Sequence, residues 1–300
     1  MSTENTFCGV VAVIGAPNAG KSTLVNALVG QKVAITSAKA QTTRARLLGI
    51  ALHGNVQIIL ADTPGIFAPK RRLDRAMVNA AWEGAQEADA ILLVVDAVKQ
   101  RRHELEPLLD ALKDRPERKL LCLNKVDVSK KEPLLALAED LSGKAGFDEV
   151  FFVSALTGDG VPELKARLAE LMPEGPWHYP EDQVSDASER LLAAEITREQ
   201  LYRQLHDELP YDSAVRPESY RYRKDGSLEV HQQIVVGRES QRPIVLGKRG
   251  SRIKAIGEAA RKELADQLGV KVHLFLHVKV DEKWSENREI FEEMGLDWVK

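Results

Sequence analysis

Short apolar runs alternate with helical spacing through the first half of the chain. Positions 7–14 form a near-continuous apolar run that predicts a strand, and 21–29 carry the spacing of a helix. Apolar runs at 47–52 and 56–61 flank His53-Gly54-Asn55, a turn that predicts a hairpin. Helical spacing returns at 73–85. The run at 90–96 is apolar on both parities, as in a strand buried on both faces. A helix at 103–113, a strand at 119–123, a helix at 132–141, a strand at 149–153 and a helix at 162–171 complete the series. This alternation predicts an α/β class, with a mostly parallel sheet and helices on both faces.

The pattern breaks at 172–180, where Pro173, Gly175, Pro176 and Pro180 cannot continue a helix or a central strand. The expected organisation is a first domain at 1–172, a linker at 173–186 and a second domain at 187–300. The second domain reads as a smaller α+β unit. It has a long helix at 187–209 and strands at 213–222 and 227–236 around Lys224-Asp225-Gly226. A helix–loop–helix follows at 242–268, broken at 247–250, then a strand at 270–280 and a short helix at 285–293. No internal repeat or low-complexity tract is visible.

A length of 300 residues suits one to two domains, and 44% apolar residues suit a globular core. The net charge of −3 excludes a polycation, so nucleic-acid contact requires a local basic patch. Cys8 and Cys122 each sit in an apolar run, which predicts buried, reduced thiols without metal-ligand spacing. The start lacks a basic segment followed by an apolar one, and no apolar run approaches the roughly 20 residues that span a bilayer. A soluble cytoplasmic protein is expected.

Gly15-Ala16-Pro17-Asn18-Ala19-Gly20-Lys21-Ser22 fits the phosphate-loop pattern, between a strand and a helix. Small residues let backbone amides curl around a β-phosphate, and the helix start adds its positive end. Lys21 reaches the β- and γ-phosphates, Ser22 ligates Mg²⁺, and Thr23 continues the loop into the helix. Asp62-Thr63-Pro64-Gly65 ends the strand at 56–61. Alone it is a turn; behind a phosphate loop, Asp62 holds Mg²⁺ through water and the Gly65 amide senses the γ-phosphate. Asn124-Lys125-Val126-Asp127 follows the strand at 119–123. The Asp127 carboxylate accepts two hydrogen bonds from the N1 and N2 edge of guanine, which adenine cannot supply. Asn124 and the Lys125 stem fix that loop. Ser154-Ala155-Leu156 adds a loop beside the base through the Ala155 amide. Within Lys39-Ala40-Gln41-Thr42-Thr43-Arg44 a threonine completes the Mg²⁺ shell, Thr43 in preference to Thr42. Lys21, Thr43 and Gly65 form the expected catalytic set, and Ser22, Thr43 and Asp62 the metal set.

In the second domain, Gly247-Lys248-Arg249-Gly250 sits between apolar helical turns. Two glycines allow close approach to a sugar–phosphate backbone, Lys248 and Arg249 add charge, and Arg252 and Lys254 border the groove. Ile253 and Ile256 lie on the apolar face. From Arg242 to Val280 there are nine Lys/Arg against three Asp/Glu, a locally basic module in a slightly acidic chain. The acidic end beyond Asp281 is expected to pack on the edge of this domain.

Over about 7–172 these motifs resemble the G domain of the bacterial translation and ribosome-assembly GTPases. Ile66 stands where Ras-like proteins carry a water-orienting glutamine, which implies slow hydrolysis used as a timer. The Gly247–Gly250 region resembles a KH domain of type II. A P-loop GTPase joined to a C-terminal KH domain resembles the Era family. Further matches are Gln41-Thr42-Thr43-Arg44, Asp62-Thr63-Pro64-Gly65-Ile66, Arg238-Glu239-Ser240-Gln241 and the stretch 247–257. The resemblance implies GTP/GDP and Mg²⁺ as ligands and the 3′ end of 16S ribosomal RNA and the 30S subunit as partners. It also implies peripheral attachment to the inner membrane; monomer is the default. Arg249 departs from the glycine of many Era-family loops. The competing reading is a membrane-associated signalling GTPase whose C-terminal domain binds protein instead of RNA.

Overall fold

A computed structural model describes residues 5–37, 39, 43–44, 47–66, 69, 71–86, 88–99, 102–206 and 209–299. The chain divides into two compact units, Met1–Asp186 and Ala187–Lys300.

The first unit opens with β1 (Phe7–Ile14), α1 (Lys21–Val29), β2 (Leu47–His53) and β3 (Val56–Asp62). It continues with α2 (Arg72–Gln86), β4 (Ala90–Asp96), α3 (Arg102–Leu112), β5 (Arg118–Asn124), α4 (Lys131–Ser142), β6 (Glu149–Val153) and α5 (Val161–Glu170). The sheet order is β2-β3-β1-β4-β5-β6. All neighbours are parallel except β2 and β3, which form the expected hairpin. Side chains alternate between the two faces of the central strands and both faces are covered, which explains their unbroken apolar runs. Val11, Val13, Leu92 and Val94 pack with Leu24 and Leu28 of α1 and Leu164 and Leu168 of α5. The alternate residues Ala12, Ile14, Ile91 and Leu93 pack on the other face with Ala81 of α2, Leu108 of α3 and Leu141 of α4. Cys8 and Cys122 are both buried, and burial pushes the Cys122 thiol upward.

The stretch 173–186, expected as a linker, lies within the first unit and is bonded to its strands. The Cys8 amide donates to the Pro173 carbonyl (3.0 Å) and the Ile50 amide to the Val184 carbonyl (2.9 Å). Gln57, fully buried, accepts from the His178 and Tyr179 amides and donates to the Tyr179 carbonyl.

The second unit contains α6 (Glu189–Gln204), β7 (Ser213–Tyr222), β8 (Leu228–Val236), α7 (Arg242–Leu246), α8 (Ser251–Leu268), β9 (Val272–Val280) and α9 (Arg288–Glu293). Its sheet runs β7-β8-β9, with β7 and β8 antiparallel and β8 and β9 parallel. Ser188 caps α6 by accepting from the Leu191 amide at 3.2 Å. This helix ends well before the expected position 209, because Leu205 turns extended (φ −97, ψ 154). That turn lets Leu205 and Leu209 enter the core with Leu201 and Ile234, and Pro210 disfavours helix at the residue before it. The expected helix at 285–293 is two pieces. A 3₁₀ turn at Trp284–Glu286 precedes α9, which Asn287 caps. Trp284, Ile290 and Phe291 are buried and Arg216 pairs with Glu293 at 2.6 Å, so the acidic tail is part of the packed unit.

Candidate nucleotide site and nucleic-acid interface

The carboxyl ends of β1, β3, β4 and β5 deliver Gly15, Asp62, Asp96 and Asn124 to one edge of the parallel sheet, where ligands of open α/β sheets bind. A Cβ on Gly15 would lie 2.3 Å from the Val94 carbonyl oxygen, so the loop leaves the sheet at a distance only glycine permits. Gly20 takes φ 95, and its Cβ would meet Asn124 Nδ2 at 2.2 Å. The first turn of α1 has no side-chain cap, so its amides are donors for an anion. Lys21 is 6% exposed. Its Nζ donates to the carbonyls of Gly15 (3.2 Å) and Ala16 (3.1 Å). Burial pushes its pKa down to about 8 against an upward pull from Asp62. One cleft is lined by Pro17, Asn18, Gly20, Lys21, Ser22 and Thr23 from the loop, with Thr36, Ser37, Thr43 and Gly65 opposite.

Asp62 is fully buried. Its Oδ2 accepts from Ser22 Oγ (2.7 Å) and Thr43 Oγ1 (3.3 Å), and the two hydroxyls are 2.8 Å apart. Its Oδ1 has no hydrogen-bond partner. Burial raises the Asp62 pKa to about 6, against the lowering effects of Ser22, Lys21 and Thr43. A buried carboxylate oxygen without a donor, beside two hydroxyls, is the all-oxygen set that a hard divalent cation takes. These residues therefore fit Mg²⁺. Thr43 has its hydroxyl in this cluster, whereas Gln41 and Thr42 lie outside the described residues. Thr63 anchors the next loop by donating to the Val13 carbonyl at 2.8 Å, and Pro64 is buried. Gly65 runs so close to Pro17 that a Cβ would lie 2.8 Å from the Pro17 nitrogen. Ile66 donates its amide to the Gly15 carbonyl at 3.2 Å. Its side chain is 8% exposed and belongs to the buried cluster that includes Ala81 and Ala85.

Asn124 joins three loops. Its Nδ2 donates to the Ala19 carbonyl (2.9 Å), and its Oδ1 accepts from the Lys125 amide (2.8 Å) and the Ala155 amide (3.0 Å). Asp127 is exposed, and its carboxylate accepts from Ser154 Oγ at 2.7 Å. Val126 is half-buried, and Leu156 is 81% exposed. Sequence reasoning missed Asp96, which it took as the last residue of an apolar strand. Lys125 Nζ donates to Asp96 Oδ2 (2.6 Å) and to the Asn18 carbonyl (2.8 Å).

In the second unit, α7 ends at Gly247 (φ 71), where a Cβ would meet the Arg252 nitrogen at 2.8 Å. Lys248 and Arg249 are exposed at the tip. Arg249 adopts a left-handed φ of 54 and Gly250 a φ of 77. Arg252 is turned back on α7 and donates to the Ile244 carbonyl at 3.0 Å. Lys254 is exposed on α8, 3.9 Å from Glu258. β9, an outer strand paired among the described residues only with β8, lies against α8.

Residues 10–125 match the family described as 50S ribosome-binding GTPase, and residues 208–285 match the KH domain family. The chain is 79% identical to GTPase Era of Erythrobacter litoralis over 100% of both chains. It is 53% identical to GTPase Era of Maricaulis maris over 99% of each. Among solved structures, a tyrosine-to-alanine variant of Aquifex aeolicus Era bound to GDP·AlF₄⁻ superposes with a TM-score of 0.91 at 38% identity, covering 97% of this chain and 99% of that one. Era in complex with MgGDPNP and nucleotides 1506–1542 of 16S ribosomal RNA matches with the same TM-score, identity and coverage.

Proposed function

Since this chain belongs to the Era family of GTPases, we propose that it is a slow GTP-hydrolysing switch that binds the 3′ end of 16S ribosomal RNA and assists assembly of the 30S subunit. The observation that carries the nucleotide half is the cluster of half-buried Ser22 and Thr43 on buried Asp62 beside Lys21, with Asp62 Oδ1 lacking a donor.

The substrate is GTP and the products are GDP and phosphate. Loop amides from Gly15 to Ser22 bind the phosphates, and Lys21 exchanges its carbonyl partners for β- and γ-oxygens. Ser22, Thr43 and Asp62 would hold Mg²⁺, which supplies charge neutralisation at the β- and γ-oxygens when bound. The Gly65 amide reads the γ-phosphate. Asp127 reads guanine, positioned by Ser154. With the Ile66 side chain in the core, this position contributes nothing to orienting the attacking water, which fits a timer.

The RNA half rests on the Gly247–Gly250 loop with Lys248 and Arg249 exposed at its tip, together with the relative solved with nucleotides 1506–1542 of 16S ribosomal RNA. The loop and α8 clamp about four single-stranded nucleotides. On this reading the protein acts as a monomer in the cytoplasm on the small ribosomal subunit. A peripheral association with the inner membrane is supported by the family resemblance alone; no helix among the described residues is long and apolar enough to cross a membrane.

GTP favours one arrangement of the backbone around Thr43 and Gly65, and coupling to RNA is reciprocal, because each ligand must shift the other's affinity by the same factor. The test is RNA affinity at matched salt with a GTP analogue and with GDP. The probe is the 3′ end of small-subunit ribosomal RNA, with an unrelated strand of equal length as control. Preference for the ribosomal strand, stronger by about five-fold or more with the GTP analogue, is expected. Equal affinity in both nucleotide states would remove the switch, and equal affinity for both strands would remove the ribosomal target.

A further inference from the structure

Asn18 and Lys125 are two of the three non-glycine residues with positive φ among the described residues, at 66 and 70. Such conformations persist only where the surroundings over-determine them. One ammonium connects the two residues, since Lys125 Nζ donates to the Asn18 carbonyl at 2.8 Å. The same Nζ donates to Asp96 Oδ2 at 2.6 Å. Asp96 is itself fixed. Its Oδ1 accepts from the Val98 and Lys99 amides, both at 2.9 Å, and its side chain is only 10% exposed. The Ala97 amide donates to the Asn124 carbonyl at 2.9 Å, so the turn after β4 is also tied to the base-reading loop.

We propose that Asp96 is a positioning residue of the nucleotide site, whose carboxylate holds the Lys125 ammonium where it locks the phosphate loop to the base-reading loop. The proposal rests on the GTP-site reading and adds to it a residue that acts through Lys125. Neither loop can keep its left-handed residue cheaply when the ammonium is free to swing into water. Asp96 therefore fixes Asn18 and Lys125 before the nucleotide arrives, and binding then orders less of the site. The carboxylate is held below its ordinary range. Burial opposes this, but the Lys125 hydrogen bond and the Lys99 and Val98 amides outweigh it. Asp96 is accordingly charged at neutral pH and faces the ammonium as a full counter-ion.

The substitution Asp96→Asn tests this in the full-length protein, because an amide oxygen still accepts from the Val98 and Lys99 amides while the charge facing Lys125 disappears. Dissociation of fluorescent GDP and GTP analogues is followed alongside hydrolysis at saturating GTP. The expected result is a rise in Kd of about ten-fold, carried by faster dissociation, with kcat within about two-fold of the parent. In a Lys125→Met background the same change is expected to add less than about two-fold, because the group through which Asp96 acts is gone. A parental Kd in Asp96→Asn overturns the proposal. A full ten-fold effect in the Lys125→Met background also overturns it and assigns Asp96 to the fold of the turn alone. If Asp96→Asn does not fold, Asp96→Ser, which keeps an acceptor for the turn, gives the same comparison. Failure of the parent protein to bind guanine nucleotides would instead defeat the underlying GTP-site reading.

Discussion

Three non-glycine side chains among the described residues hold left-handed backbone: Asn18, Lys125 and Arg249. All three lie in loops that the proposed function uses, where strain is retained because the surroundings enforce it. At Arg249 a charge has been added at a position that glycine would occupy without strain. Ile66 is a different residue-scale departure. Its position reads as the water-orienting one in sequence, yet its side chain is under α2 with Ala81 and Ala85. Restoring an amide there with Ile66→Gln is therefore expected not to speed hydrolysis. It would bury a polar group among apolar neighbours and destabilise the first unit by about 2 kcal/mol. Thermal unfolding and single-turnover hydrolysis check this, and a clear acceleration of hydrolysis would show that the side chain can reach the site. At this scale the phosphate-loop, Asp62 and Asn124–Asp127 motifs were legible because each needs a fixed residue type at a fixed spacing. Asp96 was not legible, because its partner is Lys125 and nothing in the local pattern points across the sheet.

At the scale of elements, the apolar runs and helical spacing predicted the strands and helices because both faces of β1 and β4 are covered. Ends were decided by other forces. α6 stops at Gln204 so that Leu205 and Leu209 can be buried, and the stretch 173–186 has no periodicity because Gln57 and the edge of β2 hold it through its backbone. β8 carries a polar cluster that the sequence did not announce. Glu229 accepts from Arg223 Nε (2.7 Å) and Arg221 Nε (3.0 Å) across the β7–β8 pair, with His231 at 3.2 Å. Arg223 first, then Arg221, hold its pKa down to about 2. A carboxylate with a folded pKa below its unfolded value of about 4.3 contributes stability at higher pH that is lost as pH falls through the folded value. Glu229→Gln is therefore expected to lower the thermal midpoint of the second unit at pH 7, and the gap to the parent should close between about pH 4.5 and about pH 2. A gap independent of pH would mean that shape, not charge, fixes this side chain.

For the whole molecule, each unit has its own buried clusters, with Leu24, Val94 and Leu164 in one and Leu201, Ile234 and Ile256 in the other. Units with separate cores unfold as separate cooperative steps. Two thermal transitions are expected in calorimetry. A saturating Mg²⁺·GDP concentration of about 100 times Kd should stabilise only the first, by about 2.7 kcal/mol. Removal of Mg²⁺ with a chelator should reverse most of that shift. A single transition, or two that move together with GDP, would mean that the units unfold as one. The net charge of −3 conceals the basic stretch from Arg242 to Val280. Whole-chain charge is therefore a poor guide to partners in a chain that segregates its functions.

The sequence by itself determined the fold class, the order of elements and the family. It also singled out the residues expected to touch phosphate, magnesium, guanine and the RNA backbone. These follow from periodicity and from motifs whose spacing is set by the ligand. Tertiary structure alone decided that Thr43 meets Ser22 and Asp62, that Ile66 belongs to the core, and that Asp96 answers Lys125. It also decided that the proline-rich stretch at 173–186 is bonded in place. Each of these brings together residues separated in the chain, and Asp96 meets Lys125 across the parallel pair β4 and β5. A parallel sheet brings the ends of distant strands together without leaving any local trace of which residues will meet.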